Sequence, residues 1–525
     1  MAPPSSRLEE RKQQFKKGLS PDESRRKREV ASVQLRKDRK EDSLQKRRRD
    51  VGGTSRASTH VGALPDPGLK AKLDTLSDDV EALQSDDPSV QLDATARVRK
   101  LLSIERNPPI AEVIAAGVIP RLVQFLHCYE NHALVFEAAW ALTNVSSGTS
   151  EHTRVVIDNG AVPVLVQLVV HANLEVREQA MWALGNIAGD SPRCRDLVLS
   201  YSMLPALLSQ IGDGTKLTLL RNTTWTLSNL CRGKQPPRWE LIAPALPVLV
   251  GLIAQSVDEE VLTDCCWSLS YMSEPAERVQ SIIDAGALPY LVNLLGHQSQ
   301  GVQSPALRTI GNVAAGNAAQ TQAVLACDVL AQLHRLLGSS KKEIRKESCW
   351  TISNITAGSA EQVDAVCAAG LMPGLLEMLG CAEFEIKKEV AYAVCNACCG
   401  GSAAVANGIA QLGGVARLCD LLACPDAALL YAVLEALEAM LRAGECGGPN
   451  RFVLLVEEAG GIERIEGLQT HESAEIFQKA AHIIDHFFGE ESDGAKEDSH
   501  MLPEVRADGF RFAPPAGSSA RGAAT

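Results

Sequence analysis

A repeat of about 42 residues runs through most of the chain and constrains its fold more than any other feature. It is marked, at spacings of 43, 42, 42 and 42 residues, by Pro120, Pro163, Pro205, Pro247 and Pro289. It continues, at spacings of 42, 42 and 43 residues, through Ala331, Pro373 and Ala416. Such repeats stack into one continuous array, because each unit exposes an apolar face that only its neighbours can cover.

A short phrase around each proline indicates a break between two helices. It reads Gly117–Pro120, Gly160–Pro163 and Gly286–Pro289 in three of the units. Glycine permits the left-handed backbone that ends one helix, and proline suits the first turn of the next, where no N–H is needed. Apolar residues then follow at helical spacing, as in Ile119, Leu122, Val123 and Leu126.

Two long helices and a short one per unit are typical of armadillo and HEAT repeats. We therefore predict an all-α, right-handed superhelical armadillo solenoid of about ten repeats over residues 76–488. Only 4% of residues are aromatic, so its core must consist mainly of Leu, Val, Ile and Ala. The compositions of residues 59–75 and 489–525 predict a flexible linker and an acidic, mostly disordered tail.

A Trp-x-x-x-Asn pair recurs in the longest helix of several repeats. The pairs are Trp140 with Asn144, Trp182 with Asn186, Trp225 with Asn229, and Trp350 with Asn354. Other repeats vary it as Trp267 with Tyr271, Arg308 with Asn312, and Tyr392 with Asn396. Residues four apart share one helix face, so stacking should align the pairs in parallel rows.

These rows allow two interpretations. In the simpler one, the tryptophans fill the core and the asparagines cap or bridge helices. Recurrence favours the other, because asparagine suits neither a helix interior nor a core. A row of carboxamides can bond the backbone of an extended peptide, and indole faces attract Lys and Arg. Acidic residues near this face complete the prediction of a lysine- and arginine-rich ligand: Asp190, Asp264, Glu347 and Glu389.

Charge is segregated along the chain. Residues 1–50 hold 17 Lys and Arg against 9 Asp and Glu, whereas the other 475 residues hold 35 against 55. A helix start is indicated by Ser20 as cap, Pro21 and Glu23. The basic run beyond it is too polar to build a core, so it should gain helix only on an acidic partner. Nucleic acid is the generic partner of such an arm.

Several classes of function lack support in the sequence. It contains no phosphate-binding Gly-x-x-x-x-Gly-Lys and no His-Glu-x-x-His, so neither an enzyme nor a cofactor is expected. No apolar run is long enough to span a membrane. The 15 cysteines are expected to be reduced, and Cys395, Cys398 and Cys399 lack a second ligand pair for zinc. No metal site is therefore predicted.

The phrases Trp140–Asn144, Trp182–Asp190 and Trp225–Arg232 resemble the importin-α (karyopherin-α) family of nuclear-import adaptors, and the resemblance extends over nearly the whole chain. It implies a major and a minor site for nuclear localisation signals. The major site would comprise Trp140, Asn144, Gly148, Thr153, Trp182, Asn186, Asp190, Trp225, Asn229, Asp264 and Trp267. The minor site would comprise Arg308, Asn312, Gly316, Thr321, Glu347, Trp350, Asn354, Glu389, Tyr392 and Asn396.

Two details follow from carrying the family's pattern over. Asp190, with Gly148 and Thr153, would hold the key lysine of the signal. Tyr392 stands where the family has tryptophan, although a tyrosine ring can also stack.

The basic arm, residues 1–58, resembles the importin-β-binding domain. The resemblance implies that the arm docks on importin-β as a helix and otherwise occupies the chain's own groove, in the manner of a localisation signal. Both roles would fall to Arg25, Arg26, Lys27, Arg28, Arg36, Lys37, Arg39, Lys40, Lys46, Arg47, Arg48 and Arg49. Because of this resemblance, we expect the arm to bind importin-β and the chain's own groove, and not nucleic acid directly.

The resemblance also implies the remaining partners. These are basic cargo proteins and the export receptor (the cellular apoptosis susceptibility protein, CAS) with Ran-GTP, contacted by the last repeats and by Glu490, Glu491 and Asp493. The chain would shuttle between cytoplasm and nucleus, as a monomer without cargo or in a cargo complex with importin-β. The alternative is an armadillo scaffold of the adhesion or signalling type, which would line its groove with Lys and Arg instead.

Overall fold

The computed structural model describes residues 73–104, 107–445, 449–489, 504–506 and 509–511. In this part of the chain, helices follow one another in a repeating order: a short first helix, a second helix and a longer third helix. The first helices are Ile110–Ala115, Ser150–Asp158, Pro192–Ser200, Trp239–Ile242, Val279–Asp284, Ala318–Leu325, Ala360–Ala368, Ala403–Gln411 and Arg451–Glu458. Short 3₁₀ turns at Ala243–Ala245 and Ala276–Arg278 adjoin two of them.

The second and third helices complete the repeats. The second helices are Leu76–Leu83, Ile119–Phe125, Ala161–Leu168, Met203–Leu208, Leu246–Gln255, Leu288–Leu294, Val329–Leu337, Leu371–Cys381, Gly414–Leu421 and Gly461–Leu468. The third helices are Pro88–Leu102, His132–Ser146, Leu174–Asp190, Leu217–Cys231, Glu259–Ser273, Gln300–Ala314, Lys342–Thr356, Phe384–Gly400, Ala427–Ala443 and Ala474–Phe487. We number the repeats 1–10 by these third helices.

The third helices form a continuous row in which each packs against the next, from Pro88–Leu102 to Ala474–Phe487. One apolar core runs through all the repeats, supplied mainly by leucine, valine, isoleucine and alanine between Leu76 and Ile483. The predicted all-α armadillo solenoid is therefore confirmed. Each repeat buries its apolar face on its neighbours, as the period required.

Polar caps fix where many of the third helices begin. The side chain of Asn131 accepts a hydrogen bond from the backbone N–H of Leu134 at 3.2 Å, and Asn173 accepts from Val176 at 3.1 Å. Asp258 and Asp426 repeat this bond in later repeats. Such caps satisfy N–H groups that the helix leaves open, and each contributes about 1 kcal/mol. They place the residues further along each helix in the same register from repeat to repeat.

Left-handed residues separate first from second helices, as the glycine–proline phrase predicts. Gly117, Gly160 and Gly286 have φ angles of 75°, 78° and 73°. In two repeats another residue takes this conformation, namely Ser202 with φ 59° and Asp328 with φ 56°. The break is therefore set by the packing of the repeat, which imposes it even where glycine is absent.

A two-stranded antiparallel pair lies in the segment for which the sequence predicted a disordered tail. Glu504–Arg506 pairs with Gly509–Arg511, so that Val505 stands opposite Phe510. The sequence signal for it is Asp508 followed by Gly509 between short stretches that contain Val and Phe. The rest of residues 490–525 lies outside the described residues.

The described residues offer little support for a membrane span or a metal site. No single helix among them has the length and apolar character to cross a membrane; only the bent pair Ala360–Ala368 and Leu371–Cys381 meets these criteria jointly, by length and composition. The same residues hold no group of three or more metal-ligating side chains. Cys395 and Cys398 are buried free thiols, and burial raises the pKa of both well above the ordinary value.

Replacing Ser202 by glycine should raise the free energy of unfolding by about 0.5–1 kcal/mol. Left-handed backbone costs an L-residue about 1–2 kcal/mol, and the greater freedom of glycine in the unfolded chain cancels part of the gain. The reverse change at an equivalent site, Gly160→Ser, should destabilise by a similar amount, since a side chain there meets no other atom within 4 Å. Chemical denaturation measures both, and shifts of the same sign would contradict the conformational explanation.

Candidate functional site

The recurring pairs predicted from the sequence lie on one continuous row of third helices in repeats 2–8. We call these pairs the ladder: Trp140/Asn144, Trp182/Asn186, Trp225/Asn229, Trp267/Tyr271, Arg308/Asn312, Trp350/Asn354 and Tyr392/Asn396. Because successive third helices are in contact, successive pairs are neighbours in space. The structure thus brings together residues that are far apart in the sequence.

The asparagines of the ladder bridge neighbouring repeats in a regular way. Asn186 Nδ2 donates to the carbonyl of Thr143 at 3.1 Å, the residue just before Asn144. Asn229, Asn354 and Asn396 donate in the same way to Gly185, Gly311 and Ser353, each at 3.1 Å. Asn312 reaches Ser270 at 3.4 Å and Ser273 Oγ at 2.9 Å, and Asn144 reaches Ser103 Oγ at 3.0 Å. The bridging role that the simpler interpretation assigned to asparagine is therefore present.

These bridges use only part of each carboxamide. The group has two N–H donors and one carbonyl acceptor, and a bridge uses a single N–H. Asn186 is 2% exposed, and its Oδ1 has no hydrogen-bond partner among the described residues. A buried acceptor without a partner costs about 1–3 kcal/mol. Because this oxygen is shielded by its neighbours, a ligand N–H would reach it only if those neighbours moved.

The indoles border the asparagine row. Trp182 is 8% exposed, whereas Trp140, Trp225, Trp267 and Trp350 are half-buried. The ring centroids of Trp182 and Trp225 are 5.6 Å apart and their planes are inclined by 37°. A methylene stem between two facing rings needs about 7–8 Å, twice a carbon–carbon contact. The space between these two rings is therefore too narrow for a methylene stem.

Two glycines leave room for the indole of the next repeat. A Cβ added at Gly185 would overlap the six-membered ring of Trp225, and one at Gly311 would overlap that of Trp350. The same two residues accept the bridges from Asn229 and Asn354. A side chain at either position would displace the indole of the next repeat, so glycine is needed for close approach here.

Asp190 lies beside the start of a first helix, where the sequence predicted a pocket for a lysine. It ends the third helix, and Ser150 Oγ donates to its Oδ1 at 2.7 Å. Thr153 is buried on the first helix that Ser150 begins, and its Oγ1 donates to the carbonyl of Ser146 at 3.3 Å. Gly148 lies exposed in the turn before this helix. The three residues predicted to hold a lysine are thus gathered around one helix start.

No other ladder helix offers a carboxylate at the position of Asp190, four residues after the ladder asparagine or tyrosine. The equivalent residues are Gly148, Gly233, Pro275, Gly316, Gly358 and Gly400. An ammonium group bound along the ladder would therefore find a carboxylate at this position in repeat 3 alone.

Family models match most of the chain. One described as an importin beta binding domain matches residues 11–96. One described as an armadillo/beta-catenin-like repeat matches seven segments, residues 106–147, 149–189, 191–232, 234–274, 275–315, 317–357 and 359–399. One described as an atypical arm repeat matches residues 450–504.

Importin subunit alpha-2 of Arabidopsis thaliana is 48% identical over 521 residues, which cover 97% of this chain and 96% of the relative. The chain belongs to the importin-α family. Importin subunit alpha-1b of Oryza sativa subsp. japonica is 47% identical over 97% of this chain and 99% of its own. Importin subunit alpha-B of Dictyostelium discoideum is 45% identical over 96% and 98%. The crystal structure of an engineered protein, 27% identical, superposes with a TM-score of 0.71 over 78% of this chain and 98% of its own.

The second predicted pocket repeats the arrangement of the first, four repeats later. Thr321 is buried and its Oγ1 donates to the carbonyl of Ala314 at 3.0 Å, as Thr153 does to Ser146. Gly316 precedes it as Gly148 precedes Thr153. Gly358 occupies the place of Asp190, so this pocket lacks that carboxylate.

The carboxylate of Glu347, expected to attract a cationic ligand, has a partner within the importin-α chain. The guanidinium of Arg308 donates Nε and Nη2 to Glu347 Oε2 and Oε1 at 2.7 and 2.6 Å. Burial lowers the pKa of Arg308, but the adjacent carboxylate of Glu347 outweighs it and raises the pKa overall. Glu347 is 4% exposed, so its charge is largely compensated inside the ladder.

The predicted binding residues of repeat 8 are more deeply buried than the sequence suggested. Tyr392 is 3% exposed, and burial raises the pKa of its hydroxyl. Its ring is thus less available for stacking than the half-buried Trp350 in repeat 7. Glu389, on the same helix face, is 6% exposed. Asp264 remains half-buried at the equivalent position of repeat 5.

Sequence reasoning missed several residues that build the ladder. Gln179 and Asn222 occupy the position three residues before the tryptophan, where Asp264, Glu347 and Glu389 were noted. Gln179 Nε2 donates to Thr143 Oγ1 at 2.8 Å, whereas Asn222 Nδ2 is buried without a partner among the described residues. The signal was the spacing to tryptophan, which applies to amides as well as to acids.

Other expectations lie outside the described residues. The basic arm, with all twelve of its listed Lys and Arg residues, falls within residues 1–72, and Glu490, Glu491 and Asp493 fall within the next stretch outside, residues 490–503. The roles of the ladder residues in peptide binding remain predictions that the geometry allows.

Replacing Gly185 by alanine should lower the free energy of unfolding by about 1–3 kcal/mol, because the added Cβ overlaps Trp225 and overpacks the ladder. Gly251→Ala is the matched control, since a Cβ at this helical glycine meets nothing within 4 Å. The control should be neutral or stabilising by about 0.5–1 kcal/mol. Chemical denaturation compares them, and equal stabilities would show that the Gly185–Trp225 contact is not tight.

Proposed function

We propose that this nuclear import adaptor binds the basic localisation signals of its cargo along the ladder and presents them to importin-β through its N-terminal arm. The extended backbone of the signal bonds the ladder asparagines, because each carboxamide offers two N–H donors and one carbonyl acceptor. Its Lys and Arg side chains lie against the indoles, where each contact contributes about 0.5–2 kcal/mol. The observation that carries this proposal is the single regular row of amides and indoles across repeats 2–8.

The major site lies on repeats 2–5 and the minor site on repeats 6–8. Asp190 favours the major site for the key lysine, because it is the carboxylate that stands four residues after a ladder asparagine. The minor site holds its cationic side chains with Trp350 and Glu389. Its buried Tyr392 and its Gly358 in place of a carboxylate support weaker binding there.

The sign of the charge along the ladder argues against the adhesion or signalling scaffold. The residues three positions before the ladder's aromatic rings are Glu137, Gln179, Asn222, Asp264, Glu347 and Glu389, with no lysine or arginine. Arg308 is the cation of the ladder itself, and Glu347 compensates it. A basic ligand therefore suits this surface better than an acidic one.

The arm adds regulation and transport to the binding site. A tethered segment with the basic cluster Lys46–Arg49 competes for the ladder at an effective concentration in the millimolar range. Importin-β would remove the arm and so open the ladder to cargo. On release, the export receptor with Ran-GTP would return the monomeric adaptor to the cytoplasm, so that it shuttles between the two compartments without enzymatic chemistry of its own.

Replacing Asp190 by lysine should weaken binding of a lysine-rich signal peptide by about 2–5 kcal/mol, because it removes the partner of a desolvated ammonium and adds repulsion. Asp364→Lys is the control: this carboxylate also accepts a serine hydroxyl, from Ser402 at 3.4 Å, but it stands on a first helix and not on a ladder helix. Fluorescence anisotropy at fixed salt gives both affinities. Parental binding by the Asp190 variant would place the pocket elsewhere.

Deleting residues 1–60 should tighten binding of the same peptide by about tenfold or more, since it removes a tethered competitor. Adding importin-β to the full-length chain should give a similar gain. Titrations at one ionic strength compare the three samples, and an alanine-substituted peptide reports non-specific attraction. Equal affinity in the full-length and truncated chains would rule out autoinhibition.

A further inference from the structure

The ladder begins one repeat earlier than its first tryptophan, and it begins with a cation. Arg99 and Ser103 occupy the ladder positions of the third helix Pro88–Leu102. Their placement is shown by Asn144, which donates to Ser103 Oγ at 3.0 Å. Arg99 therefore stands next to Trp140 in the place where an aromatic ring stands in the following repeats.

Arg99 is held firmly in this place. Its guanidinium carbon lies 4.4 Å from the centre of the Trp140 ring. Its Nε and Nη2 donate to Glu137 Oε2 and Oε1 at 2.6 and 3.0 Å. Arg99 is 5% exposed, and its Nη1 is buried without a partner among the described residues. Bidentate pairing fixes the plane of a guanidinium, so the face of Trp140 toward repeat 1 already carries a cation.

The same arrangement occurs again five repeats later. Arg308 replaces the aromatic residue of repeat 6 and pairs with Glu347, which stands three residues before Trp350. In both cases an arginine on one repeat faces a Glu-x-x-Trp-x-x-x-Asn helix on the next. The first unit precedes the run from Trp140 to Trp267, and the second separates that run from Trp350 and Tyr392. Each run of aromatic ladder residues is thus preceded by an arginine that pairs with a glutamate of the next repeat.

We propose that Arg99, oriented by Glu137, is a specificity-determining residue that ends the major site. This role rests on the proposed function and determines which signals bind to the major site. Because the outer face of Trp140 is occupied, the peptide residue that extends beyond Trp140 has no ring to stack on and lies beside a guanidinium. An acidic or uncharged side chain is accepted there, and Lys or Arg is disfavoured. The preferred ligand is a basic run that stops at this point.

A purely structural role for the pair makes a different prediction. An ion pair that only joined repeats 1 and 2 would, when broken, weaken binding of every peptide by one factor. A charge that contacts the bound peptide would instead change the ratio of affinities between different peptides. The two partners must then act in opposite directions, since removing Arg99 exposes an anion and removing Glu137 exposes a cation.

The experiment uses the full-length chain and a peptide set with one lysine- and arginine-rich core. Asp, Ala or Lys is placed next to the core at either end, because the direction of the bound peptide is left open. Competition from the arm scales all affinities equally, so the Asp-to-Lys ratio at each end is unaffected. The variants are Arg99→Gln, Arg99→Lys and Glu137→Gln. Arg97→Gln is the control, since Arg97 pairs with Asp79 at 2.5 Å from the same helix and is 51% exposed.

At one end of the core, the parent chain should bind the Asp peptide roughly three- to tenfold more tightly than the Lys peptide. Arg99→Gln should reverse this ratio, Glu137→Gln should increase it, and Arg99→Lys should keep its sign. Arg97→Gln should leave it at the parental value. Circular dichroism confirms folding. If Arg99→Gln does not fold, Glu137→Gln decides, because an increased ratio supports the proposal and an unchanged ratio overturns it.

A parental ratio near one at both ends, or a ratio that no Arg99 or Glu137 variant changes, would overturn the proposal while leaving the import function intact. A failure of the parent chain to bind any peptide of the set, with or without importin-β, would instead overturn the proposed function on which it rests.

Discussion

The bond from a ladder asparagine to the preceding repeat, in most repeats to a backbone carbonyl, is the interaction on which the rest of the site depends. It joins successive third helices at the same two positions of each repeat: Asn186 bonds Thr143, and Asn229 bonds Gly185. Such a bond contributes about 1 kcal/mol net, but a buried amide left without it costs about 1–3 kcal/mol. Any shift of one third helix along its neighbour would leave both groups unpaired. The bridges therefore fix the register in which the indoles and the remaining amide groups become a row.

The two interpretations of the asparagines are thus compatible, because a carboxamide has more hydrogen-bonding capacity than a bridge needs. One N–H of Asn186 bridges to the carbonyl of Thr143, while its Oδ1 has no partner in the part of the chain that the structure describes. A residue whose only role was structural would have little reason to leave an acceptor buried and unpaired. The cost borne at this atom is small against the stability of a ten-repeat array, and it leaves a binding group held in position by the stack itself.

The sequence predicted the features that recur in every repeat well and the contacts between side chains of neighbouring repeats less well. The period, the left-handed glycines and the common helix face of Trp182 and Asn186 follow from spacing alone, which stacking preserves. Partners between repeats do not follow from spacing. Glu347 carries the charge expected of a ligand-binding residue, yet its distance to Arg308 depends on how two helices pack. Contact between Trp182 and Trp225 likewise depends on Gly185, whose importance is visible only once the next indole lies over it.

A perfectly regular ladder would bind a basic peptide in several registers, because moving the peptide by one repeat would restore every contact. Specificity requires features that break this equivalence and penalise the wrong alignments. Asp190 is one, since it alone supplies a carboxylate at its ladder position. The Arg308–Glu347 pair is another, since it interrupts the aromatic run between Trp267 and Trp350 with a bound cation. Departures from the repeat, rather than the repeat itself, therefore decide where on this long surface a peptide is held.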